Sequence, residues 1–414
     1  MSTSQLEPVE ATGQAARRST KPLRVALLTN ENAPYRVPLY AALGETEGWD
    51  FCVFTCIDRE HDRQWSVAQD LPFSSKKSFS LRYTRRQRVD GPGPLETRRQ
   101  VHVPVGVVPD LLRFRPDVAI SSEFGARTLM ATVTARLAGH RLMVYSESTP
   151  HTEASPGARQ KDIRRYVGRR LDGCICNGKQ SRLFLEELGV PGGSIFEVGQ
   201  ALDVDSFSTD LSSTERSRTR SELGAEGLTF LYVGHLAFTK GLGQLLESWA
   251  ELCDGVDEPI TLLLAGDGPD RGELESMAAR LGLQNVRVLG YWPREDLARV
   301  YQSADVFAFP TLRDCFSLAF EEAMASGLPV IGSVYGGESE LVEEGVNGWV
   351  ADPLAAGSLT GALREAYAAR ELLGAMGDCS RRSVERMSID LVADRIRAAV
   401  REVVNRPRLG GPAR

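Results

Sequence analysis

The chain has 414 residues, 42% of them hydrophobic, which suits two or three globular domains that each bury a core of their own. A formal net charge of −6 gives no reason to expect a nucleic-acid partner. The charge is unevenly divided, with 28 Lys and Arg against 22 Asp and Glu in residues 1–200 and a net acidic remainder, so the first half is the one expected to meet an anion. Seven cysteines, an odd number with no CxxC pair, fit a reducing cytoplasmic compartment, and Cys174 and Cys176 sit on one face of a strand, as packing residues do. Residues 1–20 are polar, lack the apolar core of a secretory signal and are expected to form a disordered tail. No run approaches the roughly 18 apolar residues of a membrane span.

From Leu23 to Thr29 the chain reads as a buried strand, followed by a helix from Pro38 and a second strand from Phe51 to Cys56. This βαβ start implies a parallel sheet, yet no GxGxxG follows the first strand. Residues 58–105 are polar, rich in arginine and broken by Gly91 to Pro94, and are expected to be irregular: either a solvated face or a loop toward a ligand or an anionic membrane. Strands return at 115–120 and at Leu142 to Ser146, with the helix Ala126 to Leu137 between them. Glu147 and His151 therefore emerge at the C-terminal edge of the sheet, where α/β folds bind ligands. The basic helix 158–171 is expected to turn Ile163, Tyr166, Val167 and Leu171 inward and Lys161, Arg164, Arg165 and Arg169 outward, a solvated face that also suits anionic lipid. Strands at Leu171 to Cys176 and Ile195 to Val198 close the first domain. Asp203 and Asp205 form a DxD, read here as part of the crossing between domains, and 208–221 reads as a polar loop. A new first strand, Leu228 to Val233, then opens a second domain.

The stretch that organises this second domain runs from Pro310 to Val330. Pro310 stops a buried strand, Ser317 is placed to cap a helix, Gly327 ends that helix, and Pro329 precedes the next strand. The helix N-terminus then faces the crevice at the C-terminal edge of the sheet, a place suited to phosphate. Asp314 lies before the helix and Glu322 inside it, so a ligand with phosphates on the helix start meets one acid at each end. A nucleotide-sugar has that shape; a solvated acid beside an ordinary helix start is the plainer reading.

Asp314, seven residues, Glu322 and then Ala-Met-Ala-x-Gly-x-Pro-Val resemble the signature of the retaining glycosyltransferases of family 4, also called glycosyl transferases group 1. That family has Glu where this chain has Asp314, and Arg where it has His235. The resemblance runs over most of residues 22–404 and is strongest from 228 to 353. It implies an α/β fold of GT-B architecture, two Rossmann-like domains facing across a cleft. Residues 21–200 would form the acceptor domain, completed by a C-terminal helix at 388–405, and residues 203–385 the donor domain. On the donor side it implies Gly234, His235, Lys240 and Gly266 around the diphosphate. Tyr291 and Trp292 would hold the base, although Trp292 suits the core equally well. The backbone N–H groups of Cys315, Phe316, Ser317 and Leu318 would meet the leaving phosphate, with Glu322 on the ribose and Asp314 on the sugar. On the acceptor side the loop Ala33-Pro34-Tyr35-Arg36-Val37-Pro38-Leu39 looks like the opening of a subset of the family, so Tyr35, Arg36, Glu147 and His151 are the candidates there. Tyr35 and Arg36 equally fit a helix-entry turn.

The implied function is transfer of a sugar from a nucleoside diphosphate sugar to a glycan, lipid-linked or small-molecule acceptor. The donor is a co-substrate, and neither a metal nor another cofactor is expected. The alternatives are a nucleotide-sugar 2-epimerase-like enzyme and a non-catalytic nucleotide-sugar binding module. A cytoplasmic protein is expected, with peripheral contact with an anionic membrane left open.

Overall fold

The computed structural model describes residues 21–58, 70–89, 95–153 and 158–407. The tail 1–20 and the break from Gly91 to Pro94 lie outside the described residues. In chain order the strands are β1 Leu23–Leu28, β2 Trp49–Thr55, β3 Ser74–Lys77, β4 Leu81–Val89, β5 Leu95–Val103, β6 Val118–Ser122, β7 Arg141–Ser146, β8 Gly173–Cys176, β9 Ile195–Glu197, β10 Leu228–Val233, β11 Ile260–Ala265, β12 Val286–Gly290, β13 Val306–Ala308, β14 Val330–Ser333 and β15 Gly348–Ala351. They make a parallel seven-stranded sheet in the order β3-β2-β1-β6-β7-β8-β9 and a parallel six-stranded sheet in the order β12-β11-β10-β13-β14-β15, with β4 and β5 as a separate antiparallel hairpin.

Strand periodicity sets the layers. In β1, Val25 and Leu27 face a core shared with the helices Val37–Gly44 and Ile389–Asn405, while Ala26 and Leu28 face the opposite layer with Leu111, Ala131, Phe184 and Leu185. The long helix Ile389–Asn405 places Val392, Ile396, Val400 and Val403 in the first of these layers, so its apolar stripe belongs to the first sheet although it follows the second in sequence. Around the second sheet, β10 and β11 are buried along almost their whole length, as strands covered on both faces are.

Three expectations need correction. Residues 81–89 and 95–103 are regular antiparallel strands, paired from Leu81↔Val103 to Val89↔Leu95. Arginines alternating with other residues left no apolar run from which to read a strand. Residues 213–223 are a helix rather than a loop, opened by a capping box in which the Ser212 hydroxyl accepts from Glu215 N at 3.2 Å and Ser212 N donates to the Glu215 carboxylate at 3.0 Å. It buries only Thr219 and Leu223 and is tied down by Arg216 and Arg220, which grip Asp305 at 2.6 and 3.2 Å, and an apolar pattern could not reveal that. In the basic helix Ala158–Gly168, Val167 is buried as expected, but Ile163 and Tyr166 are exposed, and Arg164 turns inward to pair with Glu153. Arg170 stacks on the exposed Tyr166 ring at 3.7 Å, which holds that ring on the surface.

The two halves meet at the crossing and across the cleft. Leu202 N donates to the Met387 carbonyl at 2.9 Å, and Asp203 caps the short helix Val204–Ser208 by accepting from Ser206 N. Glu340 of the second domain accepts from Lys179 N and Gln180 N, at 3.2 and 3.3 Å, at the start of the first-domain helix Lys179–Glu187. Arg313 donates to the Thr152 carbonyl, and the His151 and Tyr335 rings meet edge-on at 5.9 Å. Among the described residues no helix is long and apolar enough to cross a membrane.

Candidate functional site

In a doubly wound sheet, neighbouring strands whose loops run to opposite faces leave a crevice between them. In the second domain that place lies between β10 and β13, which are paired neighbours although far apart in sequence. The loop after β10 carries Lys240, the loop after β13 carries Asp314, and the two side chains meet across the crevice at 2.5 Å. Both are largely sheltered, with 20% and 19% of their side chains exposed. The Lys240 ammonium also lies 5.3 Å from the centre of the Phe309 ring. The loops lock together through Gly241, whose φ of 68° is left-handed and where a Cβ would meet the Pro310 carbonyl oxygen at 1.9 Å.

The helix after this loop runs Leu318–Ala325. Ser317 occupies its N-cap position as the sequence suggests, but its hydroxyl makes no cap hydrogen bond. Cys315 N instead donates to Asp314 at 2.9 Å, and the first N–H groups of the helix have no partner within the helix itself. Phe316 is buried, and burial pushes the Cys315 thiol up to about 12, which makes it a packing group rather than a nucleophile.

One turn further in, Glu322 is buried and already held: Arg294 donates to one carboxylate oxygen and the Tyr301 hydroxyl to the other at 3.1 Å. Burial raises its pKa, while Arg294 and Tyr301 pull it back. Neither partner was legible in the sequence, because the pairs span 28 and 21 residues without a shared motif. Two more acids, Glu321 and Glu338, are fully buried, and all four of their carboxyl oxygens lack a hydrogen-bond partner.

The remaining donor-side candidates line the same edge. Gly234 and Gly266 follow β10 and β11, and Gly266, at φ 145°, is so close to its neighbour that a Cβ would meet the Gly234 carbonyl oxygen at 1.8 Å. His235 is exposed beside them rather than in the core. Beyond β12, Tyr291 is exposed and Trp292 is half-buried under Arg299, whose guanidinium lies 4.9 Å from the ring centre. The DxD is elsewhere: Asp203 is a helix cap and Asp205 is exposed.

The facing wall belongs to the first domain. Arg36, at the start of helix Val37–Gly44, donates to Glu147 at 2.7 Å, and its guanidinium lies 5.5 Å from the Tyr35 ring. Glu147 directly follows β7, so the pair joins the edges of two elements. His151 sits farther along the same loop, against Tyr335. Glu123, which the sequence did not single out, holds this wall together. It adopts a left-handed φ of 61° and accepts from Glu147 N, Ser146 Oγ and Ser148 Oγ at 2.8, 3.1 and 2.8 Å. A left-handed non-glycine residue costs about 1–3 kcal/mol and persists where its surroundings over-determine it.

Two parallel Rossmann-like sheets with a cleft between their C-terminal edges define the GT-B architecture. Two solved structures share it: Anabaena HepE in complex with UDP, with a TM-score of 0.74 at 16% identity over 92% of this chain and all of that one, and sucrose-phosphate synthase from Thermosynechococcus elongatus, with a TM-score of 0.70 at 19% identity over 92% and 99%. Residues 213–382 match the family model described as Glycosyl transferases group 1. The chain is 34% identical over 158 residues to D-inositol 3-phosphate glycosyltransferase from Corynebacterium kroppenstedtii, covering 36% of this chain and 35% of that protein. It is 33% identical over 173 residues to a GDP-mannose-dependent alpha-mannosyltransferase from Corynebacterium glutamicum, covering 42% and 39%. The chain spans between about a third and a half of the length of the curated relatives it matches.

Proposed function

We propose that the protein transfers a sugar, with retention of anomeric configuration, from a nucleoside diphosphate sugar to a hydroxyl-bearing acceptor. The observation that carries this reading is the crevice between β10 and β13, where Lys240 and the open start of helix Leu318–Ala325 converge. The match of residues 213–382 to Glycosyl transferases group 1, and the UDP held by a neighbour of the same fold, support it. Lys240 and the backbone N–H groups of Phe316 to Leu318 would stabilise the departing diphosphate, fixed dipoles and a charge aimed where negative charge develops, while the Cys315 N–H stays on Asp314. Asp314 keeps Lys240 in place and has lone pairs left for a sugar hydroxyl. Glu322, anchored by Arg294 and Tyr301, would accept from the ribose. Arg36, Glu147 and His151 would face the acceptor, and the departing phosphate would take the acceptor's proton.

Incubating the protein with UDP- and GDP-sugars, with and without hydroxylated acceptors, tests this. Turnover that needs an acceptor supports transfer. Release of free sugar product without one favours the epimerase, and saturable binding without any turnover favours a binding module. Activity is expected to survive EDTA, because Lys240 and the helix start supply the charge that a cation otherwise would. Loss in chelator with recovery in magnesium or manganese would overturn that part.

His235 stands where the family has Arg, and an imidazole meets a diphosphate productively as the imidazolium. Donor affinity should therefore tighten as pH falls from about 8 to 6, by at most about tenfold per pH unit for one proton taken up. His235→Arg should bind as tightly at pH 7 as at 6. A wild-type profile as flat as the variant's would remove His235 from the phosphate site.

A further inference from the structure

Glu338 follows Gly336 and Gly337 in the loop after β14, and its place is unusual. The loop is pressed onto the segment before helix Leu318–Ala325, so that a Cβ at Gly337 would meet the Cys315 carbonyl oxygen at 2.0 Å. A Cβ at Gly336 would meet the Glu338 carboxyl itself at 2.1 Å, which shows the side chain folded back beneath its own loop. The residue has no exposed surface, and neither carboxyl oxygen has a partner of normal hydrogen-bond geometry, although its own N–H and that of Ser317 lie near and partly offset the burial. The charged groups that act on it come from three sides: Asp314 before the helix, Lys240 after β10, and the equally unpartnered Glu321 inside the helix. Glu340 on its own turn, and Glu147 across the cleft, reach the same cluster through Glu321.

Lys240 is the cation of this cluster, and it is already engaged by Asp314. With Glu338 also ionised, a diphosphate would enter a pocket whose buried charge has its own sign. We propose that Glu338 is a donor-positioning residue that works as the neutral acid: a nucleoside diphosphate binds to the form of the protein in which Glu338 carries its proton, and that proton lies beside the phosphate pocket. This rests on the donor-site reading above and adds a proton to it. Burial, reinforced by Asp314, pushes the Glu338 carboxyl up to about 8, so the acid is the neutral-pH form and is lost in mild alkali.

Calorimetric titration of the full chain with UDP and with GDP, from pH 7.5 to 9.5, tests the proposal. In that range the terminal phosphate, whose second pKa is about 6, is fully ionised, so the charge of the ligand stays constant. The Kd of the wild type is expected to rise roughly tenfold between pH 7.5 and 9, with proton uptake on binding at pH 8.5. Glu338→Gln should keep its neutral-pH affinity throughout and take up no proton from this site, whereas His235→Arg should keep the alkaline loss. A flat wild-type profile, or a parallel loss in Glu338→Gln, overturns the proposal and leaves the donor site standing. Binding of neither nucleotide at any pH overturns both. Should the Gln variant fail to fold, absence of proton uptake by the wild type at pH 8.5, read in two buffers of different ionisation enthalpy, overturns the proposal by itself.

Discussion

Glu322→Ala is expected to abolish turnover and weaken donor binding while leaving a folded protein. Losing charge-assisted hydrogen bonds to two ribose hydroxyls costs roughly 1.5–3 kcal/mol, or about 10- to 150-fold in Kd. The same change strands the Tyr301 hydroxyl, which is buried, so stability should also fall, by about 1–3 kcal/mol. Tyr301→Phe separates the two effects. It removes the hydroxyl that would otherwise be stranded and leaves the carboxylate, still held by Arg294, free for the ligand. Donor affinity measured for both variants against their unfolding midpoints decides the matter. A folded Glu322→Ala protein with wild-type affinity would dismiss Glu322 as a donor residue.

The second large effect is one of stability. Glu321 is fully buried in helix Leu318–Ala325 with neither carboxyl oxygen bonded, and burial first, then Glu338 and Glu322, push its pKa well above the usual carboxylate range. An acid whose pKa is raised by folding contributes its stability below the unfolded value, near 4.3, and loses it as pH rises toward the folded one. Replacing it with an apolar side chain of similar volume should therefore stabilise the protein, by about 1–4 kcal/mol near neutral pH. For Glu321→Leu the gain should be larger at pH 8 than at pH 5, as urea unfolding at the two values would show. An equal gain at both, or a loss, would mean that the carboxyl is bonded in the folded protein.

How much of this was legible in the sequence depended on range. The strand, loop, helix and strand around Asp314 and Glu322 follow from local rules: a proline stop, a glycine exit and an apolar stripe, all within about 25 residues of one another. The buried parallel strands were equally plain, because each is a short apolar run. What the sequence could not reveal were contacts between distant polar groups. Arg294 and Tyr301 on Glu322, Glu123 under Glu147, and Arg216 and Arg220 on Asp305 are ionic or hydrogen-bonded, and no periodicity announces them. The helix Ser213–Leu223 was missed for a related reason. Its buried residues are only Thr219 and Leu223, with the half-buried Arg216 and Arg220 beside them, and an apolar criterion rejects such a helix. Gly336 and Gly337 mark a turn after β14, but nothing in the order of residues says that the acid after them is turned inward.

The helix Ile389–Asn405 has a consequence in time. A chain emerging from the ribosome offers its N-terminal domain first, and domains generally fold as units in that order. Here the first sheet waits, because Val392, Ile396, Val400 and Val403, each contributing about 1.5–3 kcal/mol when buried, arrive only after the whole second domain has been made. Until then the layer that holds Val25, Leu27, Val53 and Ile120 is covered by helix Val37–Gly44 alone and lacks the apolar stripe of its second helix. The nascent chain thus completes its second domain before its first, the reverse of the order in which it was written.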